Sequence, residues 1–162
     1  RALEGKIQIY LPDLKYLDSD AAGRYSGASD YPQTAQAAIR EMVRQTGPCA
    51  FDGDGLLTRG VVIRHLILPG QVSQAKAVMD WVAAEFGPGT VLFSLMSQYT
   101  PWGRSAEFPE IHRRLRAGEM RAAAEYMANL GLEGFTQERT SAQREYTPPF
   151  DLTGVAGEGG AL

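Results

Sequence analysis

What this chain has little of narrows its reading first. It carries one cysteine, Cys49, in 162 residues. That excludes an intrachain disulfide framework and a cysteine cluster, and favours a reducing, cytoplasmic setting. The only histidines are His65 and His112, so no metal-ligand set emerges. No apolar run approaches the ~20 residues that span a bilayer, and no membrane partner is expected. Positive charge is not in excess: the formal net charge is -3, which gives no support for a nucleic-acid surface. The chain has no P-loop, no complete dinucleotide fingerprint and no recurring period of the kind that builds solenoids. No signal peptide is legible, and the opening on Arg1 rather than Met points weakly to a chain cut from a longer one.

Hydrophobic residues make up 44% of the chain and charged residues 22%, the balance of an ordinary globular domain with a usable core. Ile7-Gln8-Ile9-Tyr10-Leu11 alternates as a half-polar strand and should end at Pro12, which has no N–H to pair. Val61 to Leu68 is almost wholly apolar, the pattern of a strand covered on both faces, and Thr90 to Met96 is a second. Between them run helical periods. One enters at Asp30-Tyr31-Pro32, with Asp30 as its cap, and presents Ala35, Ala38, Ile39, Met42 and Val43 on one face. Val72 to Phe86 is another, with Ala75, Val78, Met79, Val82 and Phe86 inward. A short helix is expected from Pro109, and one over Gly118 to Leu130 with Gly131 as its stop. Asp52-Gly53-Asp54-Gly55 predicts a tight turn or a small hairpin. The pattern fades beyond Gly134, and Gly154 to Leu162 reads as a flexible tail. Residues 1–135 are therefore one unit and 136–162 a partly flexible extension. Strand alternating with helix implies parallel pairing through right-handed crossovers. Three or four such strands do not close a barrel, so the sheet is open or further chain is missing.

Each strand delivers polar groups at its carboxyl end, where α/β folds place their sites. Asp13 and Lys15, two apart, project to one side of an extended backbone. They read either as a solvated ion pair or as a carboxylate and an ammonium for a ligand. Arg64 sits inside an apolar run, where an unpaired guanidinium is costly. Its partner is either a side chain across the sheet, such as Asp13, or the carboxylate of a ligand held by the fork. Leu66 shares its strand face. His65 points the other way, toward the covering helices, and reads as a hydrogen-bonded structural histidine. Cys49 reads as a small packed residue, because neither base nor activating surroundings are visible. His112 lies in a short basic cluster that reads as a solvated helix face.

The phrases Tyr10-Leu11-Pro12-Asp13-Leu14-Lys15-Tyr16, Arg24-Tyr25-Ser26-Gly27, Arg64-His65-Leu66-Ile67-Leu68-Pro69-Gly70 and Met96-Ser97-Gln98-Tyr99 occur in that order. Together they resemble the C-terminal part of a radical S-adenosylmethionine protein of the pyruvate formate-lyase activating enzyme-like group, over about Ile7 to Gly131. The resemblance implies an α/β fold that is the C-terminal part of a partial (β/α) TIM-type barrel with parallel strands. It implies S-adenosylmethionine and a [4Fe–4S] cluster as cofactors of the parent protein. It also implies reductive cleavage to a 5′-deoxyadenosyl radical that abstracts hydrogen from a protein or small-molecule substrate. The cluster's three-cysteine loop is absent from this chain, so the partner it implies is the N-terminal portion of the barrel, and the chain alone is expected to be inactive. As cofactor-binding residues the resemblance implies Asp13 and Lys15, Arg64 on the methionyl carboxylate, Leu66 against the adenine, and Gln98 where better-known relatives have a histidine. Gln98 can hydrogen-bond but not titrate.

Two readings from other classes stand beside it. The chain is a complete aldolase-like α/β enzyme with Lys15 as Schiff-base nucleophile, or a non-catalytic module that cradles a ligand at its three strand ends.

Overall fold

Buried apolar runs that alternate with amphipathic stretches fold here into a parallel sheet with helical crossovers. A computed structural model of the chain describes residues 2–137. The elements follow as β1 (Ile9–Tyr10), α1 (Ser19–Ser26), α2 (Tyr31–Thr46), β2 (Ala50–Phe51) and β3 (Leu57–Leu66). They continue as α3 (Val72–Glu85), β4 (Leu92–Met96), a 3-10 turn (Gly103–Glu107), α4 (Ala117–Leu130) and β5 (Gly134–Gln137). The sheet runs β1-β3-β4-β5 with every neighbouring pair parallel. β2 pairs antiparallel with the start of β3. This is the hairpin expected from the Asp-Gly steps, and the Asp52 carboxylate closes it by accepting from the N–H groups of Asp54 and Leu56.

Alternate residues of β3 and β4 face the helices. Val61, Ile63, Phe93 and Leu95 join Ile39 of α2, Val78 and Val82 of α3, and Ala123 and Met127 of α4 in one buried cluster. Fully burying each large side chain contributes about 1.5–3 kcal/mol. Since α2, α3 and α4 share that cluster, they cover the same face of the sheet. The parallel strands keep their chain order across it, with no reversal of winding. The other face carries Val62, Arg64, Leu66, Leu92, Ser94 and Met96 by strand parity. It is less covered: Phe135, the neighbour of Ser94 on β5, is 45% exposed, and Leu11 is 57% exposed.

Several local expectations need correction. The strand expected over Ile7–Leu11 shrinks to two residues. Pro12 cannot donate, and pairing resumes only at Asp13, opposite Arg64. Asp30 precedes α2 but makes no side-chain cap. The capping carboxylate belongs to Asp18, which accepts from Asp20 and Ala21 and starts α1, a helix the periodicity did not reveal. Ala38 is exposed rather than part of the inner face of α2. No helix begins at Pro109. The segment runs in turns, with Glu110 drawn to Arg24 and Arg113 drawn to Glu119. His112 is exposed, as expected, but on this turn rather than on a helix.

Where the pattern fades beyond Gly134, β5 runs on to Gln137 and crosses the position at which the extension was expected to begin. The Gly154–Leu162 tail lies outside the described residues. Gly134 opens β5 at φ +152, against the backbone of Phe93, where a β-carbon has no room.

Candidate functional site

The register aligns one row of side chains across four strands. Asp13 bridges to Arg64, Arg64 pairs with Ser94, and Ser94 pairs with Phe135. Register partners in a parallel sheet point to the same side, so this row lies on the face away from the helices. Two backbone bonds fix its β1 end: the Arg64 N–H donates to the Pro12 carbonyl, and the Leu14 N–H donates to the Arg64 carbonyl, both at 2.9 Å.

Arg64 meets Asp13 in a one-sided way. Its Nε and Nη2 both donate to Oδ1, at 2.8 and 2.7 Å. Among the described residues the second carboxylate oxygen and Nη1 take no partner. Asp13 thus grips the inner edge of the guanidinium and leaves the Nη1–Nη2 edge open. That edge matches the two oxygens of a carboxylate or phosphate. Both side chains are part-exposed, at 42% and 35%, so the pair is within reach of a ligand and the ion pair itself adds little stability.

Ser94 is the anomaly of the row. It is 1% exposed, and its Oγ has no hydrogen-bond partner among the described residues. A buried hydroxyl left unsatisfied costs on the order of 1–3 kcal/mol. Sequence reading passed over it, although a serine in the middle of Val91–Met96 is a visible signal in a strand otherwise apolar.

One row nearer the carboxyl end, Leu66 pairs with Met96. Gln98 follows β4, with its Nε2 3.6 Å from the Met96 sulfur. Asp13, Arg64, Leu66 and Gln98 therefore gather along the carboxyl ends of β1, β3 and β4. Lys15 takes a different place. It is exposed, makes no ion pair with Asp13, and lines a small recess with Tyr25, His65, Leu66, Gln71 and Gln74. Tyr31 fixes the Asp13–Lys15 segment from α2: its hydroxyl donates to the Asp13 carbonyl at 2.7 Å and accepts the Lys15 N–H at 3.0 Å. Burial pushes the Tyr31 hydroxyl above its ordinary pKa, so it stays protonated and can make both bonds.

His65 behaves as a structural histidine. It is 2% exposed and stacks near Phe93. Its Nδ1 lies 2.7 Å from the Leu14 carbonyl. A carbonyl only accepts, so Nδ1 carries the proton. Burial holds the ring below its ordinary pKa, against the opposing pull of the Leu14 carbonyl. Glu119 ties the loop after β3 to the start of α4. It accepts from the Gly70 N–H at 2.7 Å, from the Arg116 N–H at 2.8 Å and from Arg113. The Arg113 guanidinium, helped by those two N–H groups, holds its carboxyl down to about 2.

Cys49 lies at the opposite end of the strands, beside Gly60, Val61 and Thr90. Among the described residues no group of three or more His, Cys, Asp or Glu is placed to hold a metal ion, and no helix is long and apolar enough to cross a membrane.

No family model matches the chain. A protein of Methanocaldococcus jannaschii, itself described only as uncharacterized, is 24% identical over 132 residues. The match takes in 81% of this chain and 34% of the archaeal protein, so the chain spans about a third of the length of the relative it matches.

Proposed function

We propose that this chain is the carboxyl-side part of a partial (β/α) barrel in a radical S-adenosylmethionine enzyme similar to the pyruvate formate-lyase activating enzymes. In that reading the face away from the helices is the inner wall. The observation that carries it is the half-used guanidinium of Arg64, gripped by Asp13 on one edge and open on the other. Strand order without reversal and helices on one face also support a barrel arc over a doubly wound sheet, which reverses its winding.

The residues present fit the methionyl end of S-adenosylmethionine. The open edge of Arg64 suits its carboxylate, Leu66 and Met96 offer apolar contact, and the orphaned Ser94 hydroxyl lies in the same row. Bound there, S-adenosylmethionine supplies the adenosyl group for hydrogen abstraction. This chain's part is to bind and orient it: Asp13 holds the guanidinium ready for an incoming carboxylate, and Tyr31 holds the strand end that carries Asp13. The residues do not fit an iron–sulfur cluster, which needs several thiolates. Cys49 is one, and it stands at the far end of the sheet. Cluster ligands would come from the remaining N-terminal portion of the barrel.

Lys15 gives less support to an aldolase-like role. A Schiff-base lysine is activated by desolvation or a neighbouring cation, and Lys15 is exposed. The deciding experiment is to read the coding sequence upstream of Arg1 for a Cys-x3-Cys-x2-Cys pattern, then to measure S-adenosylmethionine binding by the encoded protein. Absence of both the pattern and the binding defeats the proposal.

A further inference from the structure

We propose that Ser94 is a positioning residue: its hydroxyl is the second resting place of the Arg64 guanidinium, the one adopted when a carboxylate ligand is bound. The inference rests on the reading of Arg64 as the partner of a ligand carboxylate.

Arg64 stands between two polar side chains in its row. On the β1 side, Asp13 takes Nε and Nη2. On the β4 side, Ser94 is its register partner, buried and unpartnered. Neighbouring strands lie about 4.8 Å apart, well within the swing of an arginine side chain. Nη1, which takes no partner among the described residues, can only donate, and a hydroxyl can accept. A ligand carboxylate on the outer edge of the guanidinium brings a second negative charge toward Asp13. Like charges so close are unfavourable. Moving the guanidinium toward Ser94 separates the two carboxylates and gives Nη1 a neutral acceptor. It also gives the buried, unpartnered Ser94 hydroxyl a donor. The row therefore holds two arrangements of one arginine, and a carboxylate ligand biases it toward the second.

The test separates Ser94 from Arg64. S-Adenosylhomocysteine carries the carboxylate, and 5′-methylthioadenosine lacks it. Calorimetry with both should show Ser94→Ala weakening the first three- to tenfold and leaving the second unchanged. In an Arg64→Ala background, Ser94→Ala should change neither, since its effect runs through the arginine. Ligand-free Ser94→Ala should melt at or above the parent temperature, because it removes an unsatisfied hydroxyl. If Ser94→Ala keeps the full preference for the carboxylate ligand while Arg64→Ala abolishes it, the positioning role falls and the reading of Arg64 stands. If Arg64→Ala also keeps the preference, or the parent protein binds neither compound, the functional reading falls and takes this inference with it. A Ser94→Ala protein that melts lower and loses both ligands equally marks Ser94 as packing and overturns the proposal.

Discussion

Arg64 gives two donors to one oxygen of Asp13, across a pair of strands whose partners lie 51 residues apart in the chain. That asymmetry lets one arginine be satisfied structurally and still present a fork. Arg64→Ala should weaken binding of S-adenosylmethionine by roughly ten- to a hundredfold, the loss of a charge-assisted bond worth about 1.5–3 kcal/mol. Arg64→Lys should recover only part of it, because an ammonium lacks the planar two-point contact. Calorimetry on the variants decides, and unchanged affinity in Arg64→Ala makes the arginine purely structural.

Acid should destabilise the fold in two steps. His65 is neutral and buried, so its pKa is lower folded than unfolded, where the ordinary value is 6.5. The unfolded chain then binds the extra proton, and stability falls as pH drops below about 6.5. Glu119, at about 2 folded against 4.5 unfolded, contributes stability above 4.5 that is lost as pH falls toward 2. Melting temperature against pH should show both declines. A His65→Gln protein should flatten the first and keep the second; an unaltered first decline would assign it to another group.

Glu119 should matter more than a surface carboxylate does. Glu119→Ala strips the Gly70 and Arg116 N–H groups and Arg113 of their acceptor together. A loss of about 1–3 kcal/mol is expected from charge-assisted bonds of this kind. Denaturant unfolding measures it, and a change within ~0.5 kcal/mol would place Glu119 with ordinary surface substitutions.

Anaerobic treatment of this chain with iron and sulfide should build no [4Fe–4S] cluster, because one thiolate cannot hold it. The absorption spectrum and the iron content report the outcome. Stoichiometric cluster on the monomeric chain would show that ligands other than Cys49 suffice.

Much of the scaffold was legible in the residues, and the reasons are physical. Val61–Leu68 and Thr90–Met96 announced strands because runs so apolar suit a covered sheet; the strands observed are Leu57–Leu66 and Leu92–Met96, and on the face away from the helices Arg64, Leu66 and Leu92 are only half-buried. Parity alone separated His65 from Arg64: His65 stacks near Phe93 on the helix-covered face, and Arg64 meets Asp13 on the other. The misses have causes as well. Helix α1 is short and mostly polar on its surface, so its signal lies in the cap at Asp18 rather than in periodicity. β5 pairs through its backbone, and Gly134, Thr136 and Gln137 look like loop. At the site, the pairing of Asp13 with Arg64 was legible because a cation inside an apolar run calls for a partner, although the structure leaves the Arg64 side chain 42% exposed. Tyr31 acts through a hydroxyl, and Ser94 stands out by an unpartnered one, features that only the assembled sheet displays.

The interruption of β1 at Leu11–Pro12 bears on the order of assembly. β3, α3 and β4 are consecutive in the chain, so their pairing closes a shorter loop than the pairing of β1 with β3 across α1, α2 and the hairpin. Longer loops cost more entropy to close and delay the contacts that depend on them. β1 also offers only two regular ladder residues to reward that closure. The unit that carries Arg64 and Ser94 should therefore form early, with Asp13 docking late. In native-state hydrogen exchange, the Leu14 amide, whose carbonyl partner belongs to Arg64, should open well before the amides of β4. The half of the candidate site that aims the arginine is then the half the protein completes last and releases first.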